Sequence, residues 1–172
     1  KLGCIGAAPL LDLLLDERAD RDDIEARAYT SGAKLDPKAC AGPTADCIAF
    51  GAALVLLVSP NAALPGPSKA REALLAAGIT TIAVGDAPSK KAFFKKNEEG
   101  KQVKQVIDNL GFMILPSDPM IGARREFLDP SEMALFNADV IKVLAGCGVL
   151  RAIQNALDMV IDTMKSGAKA EL

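Results

Sequence analysis

The sequence predicts an α/β fold: an open, mostly parallel sheet with flanking helices, followed by a long C-terminal helix. Three observations predict it. Apolar, β-branched runs alternate with amphipathic stretches as far as residue 115. The runs are nearly continuous in apolar character, as befits strands covered on both faces. From Met133 to Met164, apolar residues then recur at helical spacing with charged residues between them.

Residues 24–31 read as a strand, 52–58 as a second, 79–85 as a third and 111–115 as a fourth. Helices are predicted over 7–18, 37–49, 67–77 and 89–109, so the layout is Rossmann-like, with crossover helices joining parallel strands. Asp36-Pro37 supplies an N-cap followed by a first-turn proline. Asp129-Pro130-Ser131 repeats the device and adds Glu132 at the capping-box position. The helix it starts carries Val140, Leu144, Leu150, Ile153, Leu157 and Val160 on one face, a stripe expected to be buried partly against another subunit. Gly146-Cys147-Gly148 interrupts that helix, as a kink or a close helix–helix contact. Two domains are expected: an α/β domain over 1–128, and a helical extension over 129–172 packed on it or on a partner subunit. Lys1 opens directly on a turn of the kind that follows a strand, so a short strand is expected upstream of it.

Half of the residues are hydrophobic and the formal net charge is -2, which gives no pull toward nucleic acid. The longest apolar runs are far too short to span a bilayer, and no signal peptide is recognisable. The expectation is a soluble, cytoplasmic protein without a membrane or nucleic-acid partner. The four cysteines form no Cys-x-x-Cys pair and there is no histidine, which argues against a zinc site and excludes histidine-based catalysis. No metal is expected, and the cysteines read as small buried apolar residues.

In an open parallel sheet, ligands bind beyond the carboxyl ends of the strands. The connections 1–6, 30–36, 59–68, 85–89 and 116–125 should emerge there. Lys1, Gly3 and Gly6 form a glycine turn that lets backbone approach a ligand; a tight strand-to-helix turn explains the same residues. The proline-rich stretch after residue 59 can hold Asn61, next to Pro60, as a fixed donor and acceptor for a pterin or flavin edge. Lys69 follows near a helix N-terminus, where anions are favoured; a purely structural loop is the alternative. Asp86, with Pro88 two residues on, is either an acceptor for pterin N–H groups or a helix cap. Arg124, Arg125 and Glu126 either read an anion or tie a loop to a helix through ion pairs. Six lysines between 90 and 104 suit an anionic cofactor tail, or simply a solvated helix face. The charged stretch 16–23 reads as a solvated helix end with Arg18 available for an ion pair.

These motifs resemble the F420-dependent methylenetetrahydromethanopterin dehydrogenases. The similarity runs through Leu14-Leu15-Asp16-Glu17-Arg18-Ala19-Asp20-Arg21, Lys34-Leu35-Asp36-Pro37, Pro60-Asn61, Pro65-Gly66-Pro67-Ser68-Lys69-Ala70-Arg71-Glu72 and Gly85-Asp86-Ala87-Pro88. Its most specific block is Gly122-Ala123-Arg124-Arg125-Glu126-Phe127-Leu128-Asp129-Pro130, followed by Glu132-Met133-Ala134 and Asn137-Ala138-Asp139. Against that family the chain is shortened at its C-terminal part, and 96–104 reads as an insertion. The resemblance implies a homo-oligomer, no metal, and reversible hydride transfer between coenzyme F420 and the one-carbon unit of tetrahydromethanopterin. It adds Lys34 and Asn137 to the candidate pterin- or cofactor-binding residues and assigns no catalytic side chain, since catalysis would consist of holding two ring systems face to face. A non-catalytic tetrahydromethanopterin-binding or accessory protein is the alternative it leaves open.

Overall fold

A computed structural model describes residues 1–115, 130–170 and 172. The chain divides into two compact units. One contains residues 1–5, 28–115 and 172; the other contains residues 6–27 and 130–170, so the first helix is grouped with the C-terminal helices.

The first unit is built on a parallel sheet of β1 (Leu54–Ser59), β2 (Thr80–Gly85) and β5 (Leu110–Ile114), in the order β1-β2-β5. Its register aligns Ser59 with Gly85 and Gly85 with Ile114, so the three strands end on one edge. Two helices belong to this unit, α2 (Pro37–Phe50) and α3 (Pro65–Ala76). Asp36 caps α2 as expected, its carboxylate accepting the Ala39 N–H at 3.0 Å, and Gly51 ends it in the left-handed conformation. The core on one side of the sheet gathers Leu2, Cys40, Val55, Leu57, Ala70, Leu74 and Ile79. Each fully buried Leu or Val contributes about 1.5–3 kcal/mol.

Two segments differ from the expected elements. Residues 24–31 form no strand. The N-terminal amine donates to Tyr29 O at 2.7 Å and Ser31 N–H donates to Lys1 O at 3.1 Å, too few rungs for a ladder. The helix expected over 89–109 is instead a short 3-10 helix (Ala87–Ala92) and an antiparallel hairpin of β3 (Phe94–Lys96) and β4 (Gln102–Lys104). Asn97 and Gly100 dictate the turn. Asn97 Oδ1 accepts the Lys101 N–H at 2.8 Å, and Gly100 adopts φ +77 while its N–H donates to Asn97 O. The lysines are therefore not a helix face. Lys101 pairs with Glu99, and Lys104 lies 5.4 Å from the Phe112 ring centre.

The second unit comprises α1 (Ala8–Ala19), α4 (Pro130–Gly146) and α5 (Val149–Lys165). The long C-terminal helix is interrupted at Gly146-Cys147-Gly148, where a kink was expected, and forms two helices meeting at 75°. The break falls at Gly148, whose φ of +77 is open to glycine and costly for a side chain bearing Cβ. Arg18 on α1 forks onto Asp158 on α5, with Nη2–Oδ2 at 2.7 Å and Nε–Oδ1 at 3.2 Å, so it forms the ion pair its position suggested. Within the apolar stripe Leu144, Ile153 and Leu157 are buried and Val140, Leu150 and Val160 half-buried, while Val143, also on α4, is 62% exposed. No single helix among the described residues is long and apolar enough to cross a membrane.

Candidate functional site

The loops after β1 and β2 leave the same edge of the sheet and are bonded to each other. Ser89 Oγ, in the 3-10 helix, accepts the Ala62 N–H at 2.9 Å. Ser89 N–H donates back to Asp86 O at 2.8 Å. Arg71, on α3, donates from Nη1 to Ala62 O at 2.9 Å. Both polar backbone groups of Ala62, itself 2% exposed, are thus satisfied by side chains of other elements, as a buried peptide requires. Burial pushes the Arg71 guanidinium below its usual range, with Glu72 working against that shift. Asn61 closes an Asx turn, Oδ1 accepting the Ala63 N–H at 3.0 Å, and its Nδ2 has no partner among the described residues. Ser59 Oγ, on the last residue of β1, is buried and likewise has none.

A second linkage joins the N-terminal turn to residues 31–35. Leu2 N–H donates to Val58 O at 2.8 Å, which sets residues 1–3 beside the end of β1. Gly3 N–H donates to Ser31 Oγ at 3.2 Å, and that hydroxyl donates to Lys34 O at 2.7 Å. Gly3 has φ +75, and a Cβ there would lie 2.7 Å from the Leu35 side chain. Gly66, in the first turn of α3, is equally constrained, since a Cβ would meet Leu35 O at 2.1 Å. The residues flanking this edge are therefore held by close backbone approach at two glycines.

Of the expected site residues, Lys1, Gly3, Lys34, Pro60, Asn61, Lys69, Asp86 and Pro88 all belong to the first unit. Gly3 is bonded into one group with Lys34, and Pro60 and Asn61 into another with Asp86 and Pro88 through the Ala62–Ser89 bond. Lys34, Lys69 and Pro88 are exposed, while Asp86 is 2% exposed. Asp86 occupies the cap position of the 3-10 helix, yet its carboxylate makes no capping hydrogen bond. Gly6 is buried in the turn entering α1, in the second unit, and Asn137 lies in α4. Arg124, Arg125 and Glu126 lie outside the described residues. Sequence reasoning missed Ser31, Ser59, Arg71 and Ser89. Arg71 sits inside a block that had been recognised, but its partner is a backbone carbonyl in another loop, which no spacing encodes.

Among the described residues no group of three or more Cys, Asp or Glu side chains is placed to hold a metal ion. The family model that matches describes methylene-5,6,7,8-tetrahydromethanopterin dehydrogenase, over residues 1–172. The chain is 49% identical to the F420-dependent methylenetetrahydromethanopterin dehydrogenase of Methanocaldococcus jannaschii and 51% identical to that of Archaeoglobus fulgidus. Each alignment covers 100% of this chain and 59% of the relative, so the chain spans about three fifths of the length of these relatives. A solved F420-dependent methylene-tetrahydromethanopterin dehydrogenase, in complex with methylene-tetrahydromethanopterin and coenzyme F420, superposes with a TM-score of 0.78 at 40% identity. That superposition covers 96% of this chain and 57% of the other.

Proposed function

Because the chain belongs to the methylene-5,6,7,8-tetrahydromethanopterin dehydrogenase family, we propose that it works in tetrahydromethanopterin-linked one-carbon metabolism as an oxidoreductase, moving hydride between the one-carbon unit of the pterin and coenzyme F420 or another carrier. The observation that carries the reading is the similarity itself. Relatives named for this reaction align with the whole of the chain, including both bonded loops at the sheet edge.

The residues present suit a pterin. Just beyond β1 Asn61 offers an uncommitted amide nitrogen, and Ser59, the last residue of β1, has a buried hydroxyl without a partner among the described residues. Lys1, Gly3, Gly6, Lys34, Pro60, Lys69, Asp86, Pro88, Arg124, Arg125, Glu126 and Asn137 complete the proposed binding set. The carrier, when bound, supplies the hydride acceptor. The chain's own residues orient the pterin and exclude water, which is catalysis by proximity. The exposed Leu13, Leu135, Val143 and Met159 of the helical unit support a homo-oligomer, with residues 129–172 contributing to its contacts. The cytoplasm is the compartment proposed, in keeping with free thiols at all four cysteines.

The test is an anaerobic calorimetric titration with tetrahydromethanopterin, followed by methylene-pterin turnover with F420 and then with NADP. Saturable binding near one equivalent per chain with turnover supports the dehydrogenase. Binding without turnover leaves a pterin-binding or accessory role. No binding by a folded protein overturns the reading.

A further inference from the structure

Arg71 is 9% exposed and forms no ion pair among the described residues. A guanidinium so placed carries a desolvation cost that an apolar side chain of similar volume would not. What it holds is specific. Nη1 takes Ala62 O at 2.9 Å, and Nη2 takes Ser68 Oγ at 3.1 Å. Its charged face lies 5.5 Å from the Phe93 ring centre, and Phe93 stacks on Phe112 of β5 at 4.4 Å with an interplanar angle of 6°. The side chain is therefore fixed by α3, by the aromatic stack and by the loop after β1 at once. Ala62 directly follows Asn61, whose own orientation depends on the Asx turn closed at Ala63.

We propose that Arg71 is a positioning residue for pterin binding: without touching the ligand, it holds the Ala62 carbonyl so that the loop presents the Asn61 amide in one orientation. This rests on the reading that the sheet edge binds tetrahydromethanopterin. Ser89 grips the N–H of the same residue from the opposite loop, so the two side chains clamp one peptide segment. A loop that spends a tenth of its time in the competent shape binds its ligand about tenfold more weakly. The loss should therefore appear in affinity and not in the cooperativity of unfolding.

The experiment compares wild type, Arg71→Met, Arg71→Lys and Arg71→Ala in the full chain by three readouts. These are thermal unfolding, hydrogen exchange at the Ala62 and Ala63 amides, and anaerobic titration with tetrahydromethanopterin. Arg71→Met should still unfold cooperatively, at a somewhat lower temperature because the buried Ala62 carbonyl loses its donor, exchange at Ala62 and Ala63 about tenfold faster, and bind pterin about tenfold more weakly. Arg71→Lys, which keeps the charge but donates from one point, should recover part of the affinity. Millimolar guanidinium should rescue Arg71→Ala, which leaves a cavity of matching shape, and should not affect wild type. Binding by Arg71→Met within twofold of wild type overturns the proposal. If wild type itself binds no pterin, the functional reading fails separately, and unchanged exchange at Ala62 and Ala63 then overturns the loop-holding role on its own terms. If Arg71→Met does not fold, Arg71→Lys and the guanidinium rescue decide.

Discussion

Ser89 Oγ accepts the Ala62 N–H at 2.9 Å, and both residues are buried. Removing the hydroxyl leaves a buried N–H with no acceptor, which costs about 1–3 kcal/mol. Ser89→Ala should lower the urea midpoint accordingly with an unchanged m-value. A midpoint within error of wild type would show that water reaches Ala62 and that the two loops are not bonded in solution.

Gly85 faces the same hydroxyl. A Cβ at this position would lie 2.2 Å from Ser89 Oγ and 3.0 Å from Ser59 O. Gly85→Ala should therefore destabilise by about 1–3 kcal/mol through overpacking. Combined with Ser89→Ala, part of the cost should vanish, because the atom in the way is gone. A double-mutant cycle that is strictly additive would rule out this contact.

The Arg18–Asp158 fork joins a buried guanidinium to a carboxylate that is 37% exposed. Solvent reaches one end, so the pair is expected to contribute about 1 kcal/mol rather than the larger figure for enclosed pairs. Asp158→Asn should cost about that much in chemical denaturation, and Arg18→Met less than Arg18→Ala, because Met replaces the packing of the stem. Equal losses for the two Arg18 variants would assign the effect to charge alone.

Asp36 makes acid stability testable. The Ala39 N–H, first among several backbone donors, holds its carboxyl below the usual carboxylate range. A group whose folded pKa is depressed stabilises the fold above its unfolded pKa and loses that contribution as pH falls through the folded value. Asp36→Asn, which keeps an N-cap acceptor, should flatten the fall in melting temperature below about pH 4 while changing little at pH 7. An unchanged acid limb would place the titrating groups elsewhere.

The cysteines should sort by accessibility. Cys4 and Cys147 are exposed, against the expectation that all four cysteines are buried, while burial pushes up the thiols of Cys40 and Cys47. A thiol reagent at pH 8 should label Cys4 and Cys147 first, and Cys40 only on unfolding. Prompt labelling of Cys40 would mean that its environment opens in the native state.

The three sheet strands and first three helices were legible because each announces itself locally, through an apolar run, a cap such as Asp36, or a first-turn proline. The hairpin was not. Its strands have three residues each, too few to display alternation, and the lysine spacing between 90 and 104 imitates a helix. The turn residues Asn97 and Gly100 are the signal in the sequence that could have found it. At the candidate site the loops could be named from sequence, because parallel strands must release them at one edge. The bonds that shape those loops could not. Arg71 and Ser89 act on the backbone of Ala62 across 9 and 27 residues of sequence, and nothing periodic records such a reach.

The Arg18–Asp158 pair spans 140 residues of chain. Long separations slow folding, since a contact of this kind must wait for the intervening polymer to be ordered. During synthesis α1 emerges early, but Leu10 and Leu14 share a cleft with Ile141 and Leu150, which are made much later. Until α4 and α5 have left the ribosome, that leucine face is without its cover. The nascent protein therefore carries an adhesive helix until α4 and α5 are made, and its yield should depend on how quickly they follow.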